Sequence, residues 1–263
     1  MAILIKATGF ILSLLPYEVL EILTECLARI FMLIPSPRRR VLLSNLRHAF
    51  PEWSYGKIKM TALESAARMF EMGFFSLCYP FMSKDQKRRT ISYSNETEKK
   101  LESLRKSGNP VIFLVPHVCL FETLATSSSF RPQGGRRLGA IYRPNRNPNL
   151  ERWINGSRDS AGIQMFSRDS AIFESKGFLR KNNWLIILFD QNSGIQGCHS
   201  DFLNRFASIS TLPSLFAKST KATTAYAFPK RLAFFKTSLE LSEFICPTEE
   251  IPHVAHKILE ENI

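Results

Sequence analysis

The sequence predicts an α/β protein: a single domain with a central, largely parallel (mixed) sheet flanked by helices, preceded by apolar and amphipathic membrane-anchor helices. Three observations carry this expectation. Val111 to Val115 and Trp184 to Phe189 are short, unbroken apolar runs bounded by turn signals, as strands buried on both faces are. From residue 95 onward such runs alternate with helix-period segments, the pattern of crossovers between parallel strands. Residues 1–15 carry a single charge, Lys6, and an amphipathic stretch follows. A chain of 263 residues can bury a sizeable core, and its pattern divides into a membrane-anchoring helical segment, 1–37, and an α/β domain, 38–263.

Taken in order, residues 1–15 are closed by Pro16 and are shorter than the ~20 apolar residues a bilayer span needs. The charged leader and small-residue cleavage site of a secretory signal are not evident. In 17–34, Glu18, Glu21, Glu25 and Arg29 recur on one helical face and Leu20, Ile22, Leu23, Leu27, Ile30 and Phe31 fill the rest. Together the two segments read as a monotopic anchor in one leaflet; packing of both onto the domain, or a true span, are the alternatives. Pro35 and Pro37 end the unit, and the cations Arg38 to Arg40 then favour the cytoplasmic side and anionic headgroups.

Helices are predicted over 38–49 and 55–79. In the second, Ile58, Ala62, Ala66, Met69, Phe70, Phe74 and Leu77 form a stripe that reads as core, or, through its aromatic content, as the lining of an acyl groove. Asn95 can cap a helix over 95–107, which has acids in its first turn, Arg105 and Lys106 in its last and Gly108 beyond. Strand 111–115 follows, then a turn at Gly134-Gly135 and a strand from Leu138 to Tyr142. A helix from Asn149 to about Ser157, a strand over 164–166 and a helix over 170–181 lead to the run that ends at Phe189. Gly194 and Gly197 mark a loop that contains His199. A helix over 211–219, a strand over 223–228, an edge strand or hairpin arm within 232–244 and a helix over 252–262 complete the chain.

Lys and Arg number 35 against 23 acids, a formal net charge of +12, spread as small clusters. Such a surface suits an anionic partner: an anionic bilayer, a phosphorylated glycolipid or, least, nucleic acid, for which no helix-turn-helix, RNP or zinc-finger pattern occurs. The five cysteines are dispersed and contain no Cys-x-x-Cys, which argues for free thiols in a reducing compartment. His48, His199, His253 and His256 lack the spacing of a metal site, and no metal is expected.

Chemistry concentrates after the first strand, where His117 follows Pro116 and Glu122 lies five residues on. In open α/β sheets ligands bind outside the carboxyl ends of strands. Inside one helix the two side chains would diverge by about 140°, but at a bent helix start they can meet. The carboxylate would then hold one ring nitrogen and free the other as a general base, with the positive helix end favouring the neutral imidazole. A lone His near an acid is more often structural. Cys119, beside it, is a possible thiol nucleophile. Asp190 ends the second apolar run, as His117 ends the first, and could orient an arginine, bind an acceptor or cap the loop.

The ordered set of stretches resembles the glycerolipid and lipid A acyltransferase superfamily, most of all the branch that adds secondary acyl chains in lipid A biosynthesis. The matching residues are Arg38-Arg39-Arg40-Val41 with Asn45-Leu46 and Phe50-Pro51; His117-x4-Glu122; Tyr142-Arg143-Pro144 with Asn147-Pro148 and Arg158; and Asp190-Gln191 with Asp201 to Ala207. Between His117 and Glu122 that branch has Gly-Asn-Trp where Val118, Cys119, Leu120 and Phe121 stand, and its C-terminal aromatic and basic stretch has no counterpart before Ile263.

The resemblance implies direct acyl transfer, without cofactor or metal, from an acyl-carrier protein or acyl-CoA thioester to a hydroxyl of a membrane glycolipid. The acceptor would be a lipid A precursor and the place the cytoplasmic face of the bacterial inner membrane. His117 would be the base and Glu122 its orienting acid; Arg158 would steady the oxyanion; Arg143, Asp190 and Gln191 would contact substrate. The departures keep two alternatives open: transfer to a lysophospholipid or phosphoinositide mannoside, and a catalytically silent, lipid-binding protein of the membrane surface.

Overall fold

A computed structural model describes residues 2–262 except 128–129, 143, 145–146, 148–150, 153–155, 157–161, 168–170 and 246–249. Its N-terminal layer is helical: α1 (Ala2–Ser13), α2 (Tyr17–Leu33), α3 (Pro37–Ala49) and α4 (Tyr55–Cys78). Pro16 and Pro37 sit where a missing N–H costs nothing, just before or inside a helix start, and Ser36 and Ser54 cap α3 and α4 by accepting from Arg39 N and Lys57 N. Both α1 and α2 pack on α4. No helix among the described residues is long and apolar enough to cross a membrane. One face of α2 is buried through Leu20, Thr24 and Ala28, while Leu4, Phe10, Ile11 and Leu14 of the first segment and Ile22, Ile30 and Leu33 of the second stay exposed.

The α4 stripe is core at Ile58, Ala62 and Ala66, but Met69 is exposed and Phe75, rather than Phe70 or Phe74, is the fully buried aromatic. The stripe also carries a fully buried acid, Glu71. Its carboxylate accepts from Arg231 Nε at 2.8 Å, Phe235 N at 2.9 Å and Arg68 Nη1 at 3.0 Å, and Arg231 Nη2 donates to Glu21 of α2 at 2.8 Å. A buried charge is stable only when so paired. The network joins α2 and α4 to the turn of a distant hairpin.

After α5 (Lys84–Arg88) come β1 (Ile91–Tyr93), α6 (Asn95–Ser107), β2 (Val111–Val115), α7 (Glu122–Thr126), β3 (Leu138–Tyr142) and β4 (Ile163–Ser167). The cap of α6 is Ser94, whose hydroxyl accepts from Thr97 N, rather than Asn95; Gly108 ends the helix at φ 70°, a left-handed value that glycine adopts without strain. The chain continues through α8 (Ala171–Leu179), β5 (Trp184–Leu188), β6 (Cys198–Phe202), β7 (Arg205–Ile209), α9 (Leu212–Thr220), β8 (Thr223–Ala233), β9 (Lys236–Ile245) and α10 (Ile251–Glu261). Within the predicted helix over 149–157, Glu151, Arg152 and Gly156 are helical and the rest lies outside the described residues.

Seven strands form one sheet in the order β1-β9-β8-β2-β5-β3-β4. All pairs are parallel except β8–β9. Of the two alternatives for 232–244, the hairpin arm holds: β9 pairs antiparallel with β8, which runs on to Ala233, and it lies one strand in from the edge, covered by β1. Along β2, Val111, Phe113 and Val115 pack with Leu101, Leu104 and Trp184 on one face, and Ile112 and Leu114 with Phe178, Phe216 and Leu259 on the other. Helices therefore cover both faces, which is why this strand reads as a continuous apolar run. His199 belongs to a strand, not a loop: β6 and β7 form an antiparallel ribbon whose two turn residues, Leu203 and Asn204, both have positive φ, at 48° and 60°.

Candidate functional site

His117 and Asp190 meet at the carboxyl end of the sheet. β2 and β5 are parallel neighbours in register, Val115 opposite Leu188, so the residues that follow each strand emerge side by side. His117 Nδ1 lies 2.5 Å from Asp190 Oδ1, and the His117 backbone N–H donates to Asp190 Oδ2 at 2.8 Å. One carboxylate thus fixes both the ring and its backbone. The Gln191 amide nitrogen is 3.2 Å from Nε2; as that amide can only donate, Nε2 is the acceptor and Nδ1 carries the proton given to Asp190. The edge of the Phe121 ring approaches the imidazole at 5.3 Å between centroids. The His117 side chain is 29% exposed, so a substrate can reach it.

The structure therefore brings together His117, Asp190 and Gln191. The carboxylate on Nδ1 is Asp190, not Glu122. The reason is local: α7 starts at Glu122 rather than at His117, after a turn in which Leu120 has φ 61°. A leucine takes that strained value only when its surroundings enforce it. Leu120 is fully buried against Phe75, Tyr79 and Phe235, which anchors the loop under the N-terminal helices. With the helix starting five residues late, its positive end is not placed at the imidazole as expected. Glu122 accepts from Ser76 Oγ of α4 at 2.9 Å. Arg143 and Arg158 lie outside the described residues.

Glu122 and Phe121 also line a narrow apolar cleft with Val115, Leu124, Met165 and Leu188, about 40 Å³ in volume. Pockets for whole ligands usually span roughly 300–1,000 Å³, so the cleft admits only a few methylene groups without widening. Cys119 has its thiol aimed at Arg68 O, 3.6 Å away. Burial pushes its pKa up to about 12, which leaves no thiolate for nucleophilic attack at neutral pH.

Two residues beside the Asp190 end of the site were not singled out from sequence as functional. Tyr226 and His256 are both buried, and among the described residues neither the Tyr226 hydroxyl nor either His256 ring nitrogen has a hydrogen-bond partner. The His256 ring sits between those of Phe189 and Phe202, at 5.5 and 4.9 Å, and burial lowers its pKa. Burial and the Asp190 charge raise the pKa of the tyrosine. A buried tyrosine and a helical histidine look like core in a sequence, and only the packing of β8 and α10 shows their relation to Asp190. Among the described residues no cluster of three or more His, Cys, Asp or Glu could hold a metal ion.

Comparison with known proteins adds an independent finding. The family described as "Bacterial lipid A biosynthesis acyltransferase" matches residues 1–248. A Shigella flexneri protein named Lipid A biosynthesis acyltransferase 2 is 31% identical over 114 residues, 43% of this chain and 35% of that protein. An Escherichia coli (strain K12) protein named Lipid A biosynthesis myristoyltransferase is 28% identical over 132 residues, 49% of this chain and 39% of its own length. The matched segments thus span well under half of these relatives.

Proposed function

Because the chain belongs to the bacterial lipid A biosynthesis acyltransferase family, we propose that it moves a fatty acyl chain from an acyl-carrier-protein thioester to a hydroxyl of a lipid A precursor. The observation that carries this reading is the His117–Asp190 pair, whose imidazole contacts Phe121, a residue that lines the apolar cleft. Nε2 takes the proton of the acceptor hydroxyl, in place of the Gln191 amide that now occupies it. The alkoxide oxygen attacks the thioester carbonyl, Asp190 stabilises the imidazolium, and the imidazolium returns the proton to the departing thiolate. Charge on the tetrahedral oxygen needs fixed donors, a role for Arg158 or backbone N–H groups. The cleft receives the methylenes next to the carbonyl, and Glu122, held by Ser76, shapes its mouth. Arg143 and the basic surface hold the substrate phosphate or the acidic carrier protein.

The exposed apolar residues of α1 and α2 support a monotopic seat in one leaflet, and Arg38 to Arg40 support the cytoplasmic face of the inner membrane. The test is thioester release and acylated-lipid formation with purified protein, acyl-carrier thioester and lipid A precursor. His117→Ala is expected to abolish both with an unchanged circular dichroism spectrum. Turnover retained by the folded variant would remove His117 as the base.

A further inference from the structure

The N-terminal layer holds a second, larger apolar groove that shares no residue with the cleft beside His117. It lies between α2, α3 and α4, measures about 590 Å³, and is lined by Phe31, Arg38, Val41, Asn45, Ser65 and Met69 among others. Its size falls in the range of ligand pockets, roughly 300–1,000 Å³, whereas the cleft beside His117 is about 40 Å³. Val41 and Met69 are 58% and 45% exposed at its rim, and Ile30 and Ile34, flanking Phe31 and the loop to α3, are exposed as well. Arg38 is the one charged lining residue, and Arg39 and Arg40 follow it. Among the described residues none of these three arginines has an ion-pair partner, and Arg39 Nε is buried without a hydrogen-bond partner. Arg38, Val41 and Asn45, three residues of the N-terminal sequence motif that the reaction chemistry leaves unused, all lie here.

We propose that this groove binds one acyl chain of an anionic membrane phospholipid, with the lipid phosphate at Arg38. The inference rests on the reading that α1 and α2 lie on the bilayer, because a chain then enters sideways from the leaflet past Ile30, Ile34 and Val41. The thioester-bound chain is a poorer occupant: its carbonyl has to reach His117, whose cleft is lined by other residues. The bound lipid would clamp α3 against α2 and α4.

Native mass spectrometry of the full chain in detergent, with phosphatidylglycerol or phosphatidylcholine added, tests this. The wild type should retain one phosphatidylglycerol in preference to phosphatidylcholine. Ser65→Trp, which fills the groove from an exposed position, should lower retention of either lipid at least fivefold at an unchanged thermal midpoint. Arg38→Gln should lower the preference for the anionic lipid by about fivefold, the effect of one basic side chain near a headgroup. No retained lipid in the wild type, or full retention in Ser65→Trp, overturns the groove. Flotation of the same proteins with phosphatidylglycerol vesicles judges the bilayer reading separately. Wild-type protein that stays at the bottom refutes that reading, while retention still decides the groove.

Discussion

Replacing Asp190 by Asn asks which carboxylate serves the base. Asp190 makes two contacts with His117, to Nδ1 at 2.5 Å and to the backbone N–H at 2.8 Å. Asparagine has one acceptor and one donor where aspartate has two acceptors. If its oxygen takes the Nδ1 proton, its NH₂ faces the backbone N–H, donor against donor. If it turns round, its NH₂ meets Nδ1 and drives the ring proton to Nε2, where the base must be empty. The first orientation loses the backbone contact, the second keeps both contacts but with the wrong tautomer, and neither offers a charge to the imidazolium. A hydrogen bond to a charged group contributes ~1.5–3 kcal/mol. Two such contacts correspond to about 3–6 kcal/mol of transition-state stabilisation, or about 10²–10⁴ in rate. Asp190→Asn should therefore lower kcat by that factor in a thioester-release assay, with KM for the donor nearly unchanged. Glu122→Gln, which leaves both His117 contacts intact, should act through KM more than kcat. Turnover of Asp190→Asn within about tenfold of the wild type, beside a dead Glu122→Gln, would refute this reasoning and return the orienting role to Glu122.

Other outcomes follow from the same geometry. Gln191→Ala frees Nε2 without touching Nδ1, so kcat should change by less than about tenfold; a loss as large as that of His117→Ala would make Gln191 essential to the chemistry. Cys119→Ala should keep its turnover, and iodoacetamide at neutral pH should leave Cys119 unlabelled by mass spectrometry, since burial holds its thiol protonated. Glu71→Ala leaves the buried Phe235 N–H without its acceptor and Arg231 with Glu21 alone, and urea unfolding should show a loss of about 1–3 kcal/mol. For His256, burial lowers the folded pKa, so the unfolded chain binds the proton more tightly. The associated stability is present above the unfolded value of about 6.5 and is lost as pH falls from there through the lower folded value. The urea midpoint should drop over that window. His256→Phe, filling the space between Phe189 and Phe202 without unpaired nitrogens, should flatten the drop and add about 1 kcal/mol at neutral pH.

Much of this architecture was legible in the sequence because buried parallel strands leave a simple mark. Val111–Val115 and Leu138–Tyr142 have the predicted bounds, since both faces of each are apolar for its whole length. His117 and Asp190 were legible as strand-end residues for the same reason. Their pairing was not, because it depends on β5 inserting between β2 and β3, a fact of sheet order. Proximity along the chain pointed to Glu122 instead, and the left-handed Leu120 that redirects the loop has no glycine to announce it. The same holds for the ribbon of β6 and β7, turned by Leu203-Asn204. Glu71 drew no attention in the sequence because its partner Arg231 lies 160 residues away.

That pairing bears on how the protein can be handled. Shortening the chain to its α/β part, a common route to a soluble enzyme, would take away Glu21 and Leu20. Arg231 would then lose one of its two carboxylates, and the buried surface over Phe75 and Leu120, the residue that pins the histidine loop, would open to water. The uncut polypeptide, with Leu20 and Glu21 in place, is the form in which the reacting groups keep this packing.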